Sequence, residues 1–229
     1  MFDRGGYQAL LNMHGEVIPL LERYKTVRQF GSKEIVIKKS RFIGYGRPVE
    51  TEEEAIAFIE EIKRKHWNAT HNCSAYMIGE RDEIQKASDD GEPSGTAGKP
   101  ILEVIRNQGL KNTAIVVTRY FGGILLGAGG LIRAYTDGAV AAIEAAEAIE
   151  KVLHQEVFVD IDYTWLGKLE NELRNRETRM GETQFTDKVT LTCLPVASEA
   201  DRFVAWITDL TQGQAVIRKG DPAYYIEGE

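Results

Sequence analysis

The chain has few of the features that would place it in a class of protein at once. Only two of its 229 residues are cysteines, Cys73 and Cys193, and their separation suggests neither a disulfide framework nor a clustered zinc site. No apolar run approaches the roughly 18 residues of a membrane-spanning helix. The first twenty residues also lack a basic segment followed by an apolar block and a small-residue cleavage site. We therefore expect a cytoplasmic location and no membrane partner.

Basic residues are also fewer than acidic residues, with 28 Lys and Arg against 35 Asp and Glu. The net charge of −7 argues against a protein that coats nucleic acid nonspecifically, because such binding depends on neutralising many phosphates. Basic and acidic residues are nearly balanced over residues 24–150, whereas acidic residues predominate over residues 151–229. An anion site is therefore expected in the first of these segments. The remaining composition, 43% hydrophobic and 28% charged, is that of a globular protein.

The order of predicted elements indicates an α+β protein with two domains. Residues 1–23 match no clear helix or strand template and are interpreted as a weakly ordered N-terminal extension. Residues 24–150 predict a hairpin, a helix, two short strands, a second helix, a buried strand and a long alanine-rich helix. Residues 151–229 predict strand, helix, two strands, helix and strand, the βαββαβ order of a ferredoxin-like sandwich.

Local signals support individual elements of this prediction. A basic cluster, Lys38–Arg41, lies near the turn of the first hairpin. The helix after it begins at the N-cap Thr51 and places Ile56, Ile59 and Ile62 on one face. Helices in the second domain are expected to be capped by Thr164 and Ser198. A cluster of basic residues and a well-marked helix thus begin the first domain.

The stretch "DDGEPSGTAGKP", residues 89–100, combines glycines, hydroxyls and a lysine ahead of a predicted helix. A P-loop requires G-x-x-x-x-G-K-[ST], with amides around the phosphates and a hydroxyl on the metal. Pro93 and Pro100 stand where the upstream glycine and that hydroxyl belong. The sequence therefore argues against ATP hydrolysis of the P-loop type.

Two interpretations of this loop remain. Ser94, Thr96, Gly98 and Lys99 would surround an anion near a helix N-terminus, where amides and the helix dipole favour negative charge. Alternatively, the loop only makes turns, and its acidic side chains face water. We keep both interpretations.

The second glycine segment, "RYFGGILLGAGGLIRAY", does not fit a dinucleotide-binding fingerprint, because Ile132 replaces the last required glycine. Its glycines either permit close approach of a ligand or let the following helix pack on the sheet. Arg119 and Arg133 bracket the segment. An arginine at the end of a buried strand suggests a phosphate or carboxylate partner, and an internal one such as Asp89 or Asp137 is an alternative.

Other candidate sites are weaker. The spacing of His66, His71 and Cys73 fits no standard zinc pattern, and a lone cysteine that opens a core strand is usually a packing residue. No Ser–His–Asp set can be proposed from spacing. Phe158 and Phe185 are candidates for base stacking, but they lie in the acidic domain. We therefore assign no catalytic residue, metal or cofactor.

Four stretches together resemble a known family: "SRFIGYGRPVETEEEA", "HNCSAYMIG", "SDDGEPSGTAGKPIL" and "VVTRYFGGILLGAGGLIRAY". They resemble the IMPACT family, also called the YigZ family, in its bacterial two-domain form, over residues 24–229. The resemblance implies that residues 24–150 fold like the second domain of ribosomal protein S-five and domain IV of elongation factor G. It also implies that residues 151–229 resemble domain V of that factor.

The same resemblance implies a role in translation. Eukaryotic relatives regulate translation by binding an activator of the amino-acid-starvation kinase, and nucleic-acid or ribosome binding has been proposed for bacterial members from the fold. The family motif includes the acids Asp90 and Glu92 and brings no established catalytic residues. Our leading hypothesis is a non-enzymatic, translation-associated regulator that binds structured RNA or the ribosome through the glycine-rich loops. The candidate anion-binding or nucleic-acid-binding residues are Ser94, Thr96, Gly98, Lys99, Arg119, Gly122, Gly123 and Arg133.

Two alternatives stay open. The chain is a protein–protein regulator of a translation or stress-response factor, in which case its acidic surface matters more than the glycine loops. It is otherwise a small-molecule hydrolase of unknown substrate, although no complete set of acid, base and nucleophile is visible. The sequence carries no signal of oligomeric state.

Overall fold

The computed structural model describes residues 9–11 and 17–228 and divides the chain into two compact units. Residues 24–150 form the N-terminal unit. Residues 151–229 form the C-terminal unit together with the residues up to Arg23. Each unit has its own apolar core.

The extension expected over residues 1–23 lies largely outside the described residues. Within them, strand β1 (Ala9–Leu11) pairs antiparallel with strand β2 (Val17–Pro19). Strand β3 (Arg23–Val27) then begins. The sequence did not predict these strands, because their short segments carry no clear alternation of apolar and polar residues.

The rest of the N-terminal unit contains five more strands and three helices. They are β4 (Gly31–Ile37), β5 (Ser40–Pro48), α1 (Glu52–Lys65), β6 (His71–Ile78), β7 (Ile84–Ser88), α2 (Gly98–Asn107), β8 (Thr113–Tyr120) and α3 (Gly127–Ala146). Five of the strands form an antiparallel sheet in the order β4-β5-β8-β6-β7. The central strand β8 is buried along nearly its whole length, as its apolar sequence predicts.

The helices cover the two faces of this sheet. On one face, Phe58 and Ile62 of α1 pack with Tyr45 and Val116 of the sheet. On the other face, α2 and α3 share a core with alternate residues of the same strands. Because successive residues of a strand point to opposite faces, β8 contributes Val116 to one core and Val117 to the other. The unit is therefore a three-layer α/β/α sandwich.

Helix α1 forms where the sequence predicts it. The Thr51 hydroxyl accepts a hydrogen bond from the backbone N–H of Glu54 at 3.2 Å, and three acids occupy the first turn. Ile59 and Ile62 are buried as expected, but Ile56 is 48% exposed. The buried face follows the helical spacing through Ala55 and Phe58, which leaves Ile56 about 100° away from it.

The C-terminal unit confirms the predicted βαββαβ order. Its elements are β9 (Ala148–Ile161), α4 (Tyr163–Asn175), β10 (Arg179–Phe185), β11 (Val189–Leu194), a 3-10 turn (Ala197–Glu199), α5 (Ala200–Leu210) and β12 (Val216–Ile226). The antiparallel sheet follows the order β10-β11-β9-β12. Both helices lie on one face, where Leu169 and Ile207 pack against Val159.

Three expectations for this unit were wrong in detail. Helix α4 begins at Tyr163, before Thr164, and has no side-chain cap. A 3-10 turn that includes Ser198 precedes α5, so Ser198 is not its N-cap. Phe158 lies on the open face of the sheet, whereas Phe185 is opposite the buried Val189 and belongs to the helix-covered face. These two aromatics therefore do not form a shared stacking platform.

Among the described residues, none of the helices has the length and apolar character to span a bilayer.

Candidate nucleic-acid interface

Both glycine segments lie at one edge of the five-stranded sheet. The β4–β5 turn, the start of β6 and the end of β8 meet there, because Arg41 pairs with Tyr120 and His71 pairs with Arg119. Strand β7 ends at this edge at Ser88, and α2 begins ten residues later at Gly98. We call this region, residues 38–41, 66–71, 89–98 and 119–127, the motif edge.

Asp89 occupies the amide cradle that the sequence offered to an external anion. Its Oδ1 accepts hydrogen bonds from the N–H groups of Ala97 and Gly98 at 3.0 and 2.8 Å, and its Oδ2 accepts one from Gly95 at 2.8 Å. Burial opposes ionisation of Asp89, but these amides outweigh it and hold the pKa of the carboxyl below its usual range. The amides at the N-terminus of α2 are therefore already hydrogen-bonded to an internal carboxylate.

The second motif acid, Asp90, joins this loop to its neighbours. Its Oδ2 accepts a hydrogen bond from the backbone N–H of Asn72 at 2.7 Å, and its Oδ1 lies 3.2 Å from the Lys63 ammonium. Its carbonyl faces Nδ1 of His71 at 2.8 Å. Asp90 has a φ of 45°, a left-handed conformation that aspartate tolerates better than most residues. The acid thereby fixes the loop against the first residues of β6.

Glu92 and Arg119 form a buried ion pair at 2.5 Å, with side chains that are 3% and 7% exposed. The same carboxylate oxygen accepts a hydrogen bond from the Tyr135 hydroxyl of α3 at 2.7 Å. The sequence suggested Asp89 or Asp137 as an internal partner of Arg119, and this was wrong. The partner is Glu92, which the loop turns inward while Asp89 is held by amides. One carboxylate thus links the first glycine segment, β8 and α3.

The Arg119 guanidinium also stacks between aromatic rings. Its carbon lies 5.5 Å from the ring centroid of Phe42 and 5.5 Å from that of Phe121. The buried Nε of Arg119 has no hydrogen-bond partner among the described residues. The contact with Phe121 connects the buried ion pair to the exposed start of the second glycine segment.

The histidines and Cys73 have separate environments. His66 lies between Tyr45 and Tyr120, with Nε2 2.5 Å from one hydroxyl and Nδ1 2.8 Å from the other. Burial lowers the pKa of His66. The Cys73 thiol donates to the carbonyl of Asp89, and burial raises its pKa well above the usual range. Such a thiol stays protonated at neutral pH and is a poor nucleophile. Among the described residues, no group of three His, Cys, Asp or Glu side chains is arranged to hold a metal ion.

The β4–β5 turn consists of Lys38 and Lys39, and both have positive φ, 46° and 66°. Ile37 pairs directly with Ser40, so this is a two-residue hairpin turn. Both lysines are exposed, and neither is recorded in an ion pair among the described residues. Gly122 packs on the backbone of Lys39, where a Cβ would overlap it, and its N–H donates to the Ser40 hydroxyl at 3.1 Å. The basic turn is therefore held against the second glycine segment.

Large apolar side chains are exposed on the same edge. Trp67 and Leu125 are each 83% exposed, and Phe121 and Ile124 are exposed to a lesser degree. Single exposed apolar residues are common, but several within one short segment indicate an interaction surface. The hydroxyl of Thr70 accepts from the N–H of Phe121 at 3.0 Å, which joins the turn after α1 to this segment.

The predicted binding residues fall into different environments. Lys99 has a side chain that is 73% exposed and lies 3.9 Å from Glu103, whereas Arg119 is buried. The Thr96 hydroxyl donates to the carbonyl of Pro93 at 2.6 Å. Arg133 donates to the Gly129 carbonyl at 3.2 Å. Lys99 and Arg119 are therefore not partners in one open anion site, and binding through Ser94, Gly98, Gly122, Gly123 and Arg133 stays a prediction.

Comparisons with known proteins show which family this chain belongs to. The profile of the Impact N-terminal domain matches residues 38–143, and that of a domain of unknown function, DUF1949, matches residues 159–214. The IMPACT family member YvyE of Bacillus subtilis (strain 168) is 51% identical over 205 residues, which span 90% of this chain and 94% of that protein. The chain belongs to the IMPACT family.

More distant IMPACT proteins support the assignment. The IMPACT family member YigZ of Escherichia coli (strain K12) is 36% identical over 179 residues, 77% of this chain and 88% of its own. Protein IMPACT of Mus musculus is 35% identical over 98 residues, 41% of this chain and 30% of the mouse protein. A solved structure titled "Crystal structure of an hypothetical protein" has a TM-score of 0.56 and 32% identity, and the match covers 86% of this chain and 97% of that one. The α+β, two-domain IMPACT fold expected from the resemblance is confirmed.

Proposed function

We propose that this IMPACT protein is a non-enzymatic, translation-associated regulator of the cytoplasm whose motif edge binds structured RNA at the ribosome. The observation that supports the proposal most directly is the Lys38–Lys39 turn. It places two positive charges, which have no ion-pair partner among the described residues, beside an exposed aromatic ring and a glycine pair.

The conformation of this turn is costly for lysine. A two-residue turn with positive φ at both positions favours Asn-Gly, and a side chain in the left-handed region costs about 1 kcal/mol relative to glycine. The fold gains no described ion pair from either lysine in return. Unfavourable backbone conformations that persist without a structural benefit are typical of functional positions. The lysines therefore fit a role in binding.

The surroundings suit a nucleic acid better than a small anion. Phosphates are neutralised by lysines, and unstacked bases stack on exposed aromatic rings such as Phe121 and Trp67. The last turn of α1 adds the basic run Lys63–Lys65 next to Trp67. The internal carboxylate Asp89 removes the first glycine segment as the phosphate cradle, so contact through the second segment and the lysine turn is favoured.

The test replaces the turn without weakening the fold. In the double variant Lys38→Asn/Lys39→Gly, the turn gains its preferred residues and loses both charges, so we expect unchanged or slightly increased stability. We expect loss of co-sedimentation with ribosomes at low salt. The slope of log affinity against log salt for structured RNA should fall by about 2 in magnitude, roughly one for each lost phosphate contact.

The matched control removes two charges at the opposite edge of the same sheet. Arg81, in the β6–β7 turn, and Arg106, in the last turn of α2, are both exposed. The variant Arg81→Gln/Arg106→Gln should bind RNA and ribosomes with nearly the wild-type salt slope. If the lysine variant binds like this control, RNA binding at the motif edge is wrong.

A protein partner is a second candidate, which the exposed apolar residues Phe121, Ile124 and Leu125 favour. Nuclease treatment in the same experiment separates the two candidates. Retention of one protein partner after nuclease, by both the lysine variant and the wild type, would favour a protein–protein regulator. Loss of all partners after nuclease would favour RNA.

A further inference from the structure

The C-terminal unit contains a cavity of about 320 Å³ that the motif edge does not use. It lies where α4 ends and α5 begins, beside the end of β11. Three of the five arginines of residues 151–229 line it, although that segment is acidic overall. They are Arg176, Arg179 and Arg202. Three guanidinium groups thus line one cavity of an otherwise acidic unit.

Aromatic stacking holds two of these arginines in place. The guanidinium carbon of Arg176 lies 4.0 Å from the ring centroid of Trp206, and that of Arg179 lies 4.6 Å from that of Tyr225. Arg179 also donates to the carbonyl of Ile226 at 3.1 Å. A planar guanidinium that is already oriented loses less entropy when it binds an oxyanion.

In the part of the chain that the structure describes, these three arginines have no carboxylate partner. Among the described residues, no ion pair within 4 Å involves Arg176, Arg179 or Arg202, whereas Arg218 on β12 pairs with Asp160. Two acids, Glu177 and Glu199, also line the cavity without approaching the arginines to that distance. With three arginines and two glutamates, the lining carries a net charge of +1, and its arginines remain available to an anionic ligand.

The rest of the lining suits a ligand with an apolar body. Leu194, Pro195, Val196 and Phe203 form an apolar wall. His154 uses its Nδ1 to donate to the Val152 carbonyl at 3.0 Å, which fixes its ring. The volume is near the lower end of the roughly 300–1,000 Å³ of small-molecule sites. An apolar wall facing charged groups is typical of sites that hold a flat ring and a phosphate.

We propose that this cavity binds a phosphate monoester on a ligand of mononucleotide size, with the arginines on the phosphate and the apolar wall on the ring. This site is separate from the motif edge, and it does not depend on the RNA proposal. Both a free nucleotide and the 5′-phosphorylated end of an RNA carry the required chemistry. The experiment distinguishes these two sources.

The test is calorimetric titration of the full chain at low salt. The probes are inorganic phosphate, AMP, adenosine, and a trinucleotide RNA with and without a 5′-phosphate. We expect AMP to bind and adenosine not to bind. Binding of the 5′-phosphorylated trinucleotide without binding of AMP would assign the site to RNA ends. If neither phosphorylated probe binds better than its unphosphorylated counterpart, the proposal is overturned.

Three variants test the geometry. Arg202→Ala should weaken binding of the phosphorylated probe about tenfold, the usual effect of losing one charge-assisted hydrogen bond. Glu177→Gln removes a repulsive charge from the lining and should strengthen binding. Arg174→Ala is the matched control, because Arg174 is exposed on α4 outside this cavity and should leave binding unchanged. Equal binding by Arg202→Ala and Arg174→Ala would contradict the assignment.

Discussion

Replacement of Glu92 by alanine should unfold the N-terminal unit or bring it close to unfolding. The substitution leaves the buried guanidinium of Arg119 without its carboxylate and leaves the Tyr135 hydroxyl without its acceptor. Removing one partner of a buried ion pair typically costs about 3–5 kcal/mol. Because the whole stability of a domain is about 5–15 kcal/mol, this is a large part of the total.

The measurement combines thermal and urea unfolding, both followed by circular dichroism, with hydrogen exchange of the amides of β8. A unit of this size should lose roughly 10–20 °C in Tm for such a change. Exchange protection along β8 should fall in parallel, since Arg119 lies in that strand. Protection in β10 to β12 serves as the internal reference, because those strands belong to the other unit.

Two control variants test whether the loss of stability comes from the buried ion pair. Glu34→Ala breaks an exposed ion pair with Arg41, whose bonds are 2.8 Å long, and should cost about 0–1 kcal/mol. The double variant Glu92→Leu/Arg119→Met replaces the buried pair with apolar side chains and should recover much of the loss. A cost below about 1 kcal/mol for Glu92→Ala would refute the view that this pair braces the unit. Because Arg119 belongs to this buried pair, Arg119→Glu would also destabilise the unit and is unsuitable as a test of binding.

Two further predictions concern the glycine segments. Asp89→Asn should cost about 1–2 kcal/mol, the range for loss of a helix-capping side chain. Because the pKa of Asp89 is lowered in the folded state, its contribution to stability is present above pH of about 4 and is lost as the pH falls through the folded pKa. The free energy of unfolding should therefore decrease less steeply with falling pH in Asp89→Asn than in the wild type. The same pH dependence in both proteins would contradict this. Gly129→Ala should raise stability by up to about 1 kcal/mol, because a Cβ there meets no described atom within 4 Å, and should weaken RNA binding if the helix N-terminus approaches RNA. Wild-type RNA affinity in that variant would exclude such an approach.

Local patterns predicted most elements of both units. The hairpin, α1 and the βαββαβ order follow from apolar periodicity and from caps within a few residues. The extra length of β9 and β12 was missed, since their added pairs join Tyr224 and Tyr225 to Leu153 and Val152 far along the chain. A pairing of this kind depends on tertiary contacts that no short window contains.

The candidate site was predictable in location but not in detail. The two glycine segments and the basic cluster at Lys38–Arg41 are visible in the sequence, and the structure places them at one edge. The sequence correctly allowed an internal partner for Arg119, but three acids lie within the first segment and only the fold selects Glu92. Which acid turns inward depends on the positive φ of Asp90 and Gly91, which directs the chain after Asp89.

The division of labour within the motif follows from burial. Asp89 accepts hydrogen bonds from backbone amides, and Glu92 accepts them from Arg119 and Tyr135. These two motif acids therefore maintain the shape of the edge. Lys38 and Lys39 lie outside the glycine segments and have no ion-pair partner within the described ranges, and the backbone of Lys39 packs against Gly122. A ligand at the motif edge would therefore be recognised mainly by residues that the motif positions, and substitutions inside the motif should change stability first. Substitutions in the lysine turn should change affinity without lowering stability, and this difference separates the two classes of residue by experiment.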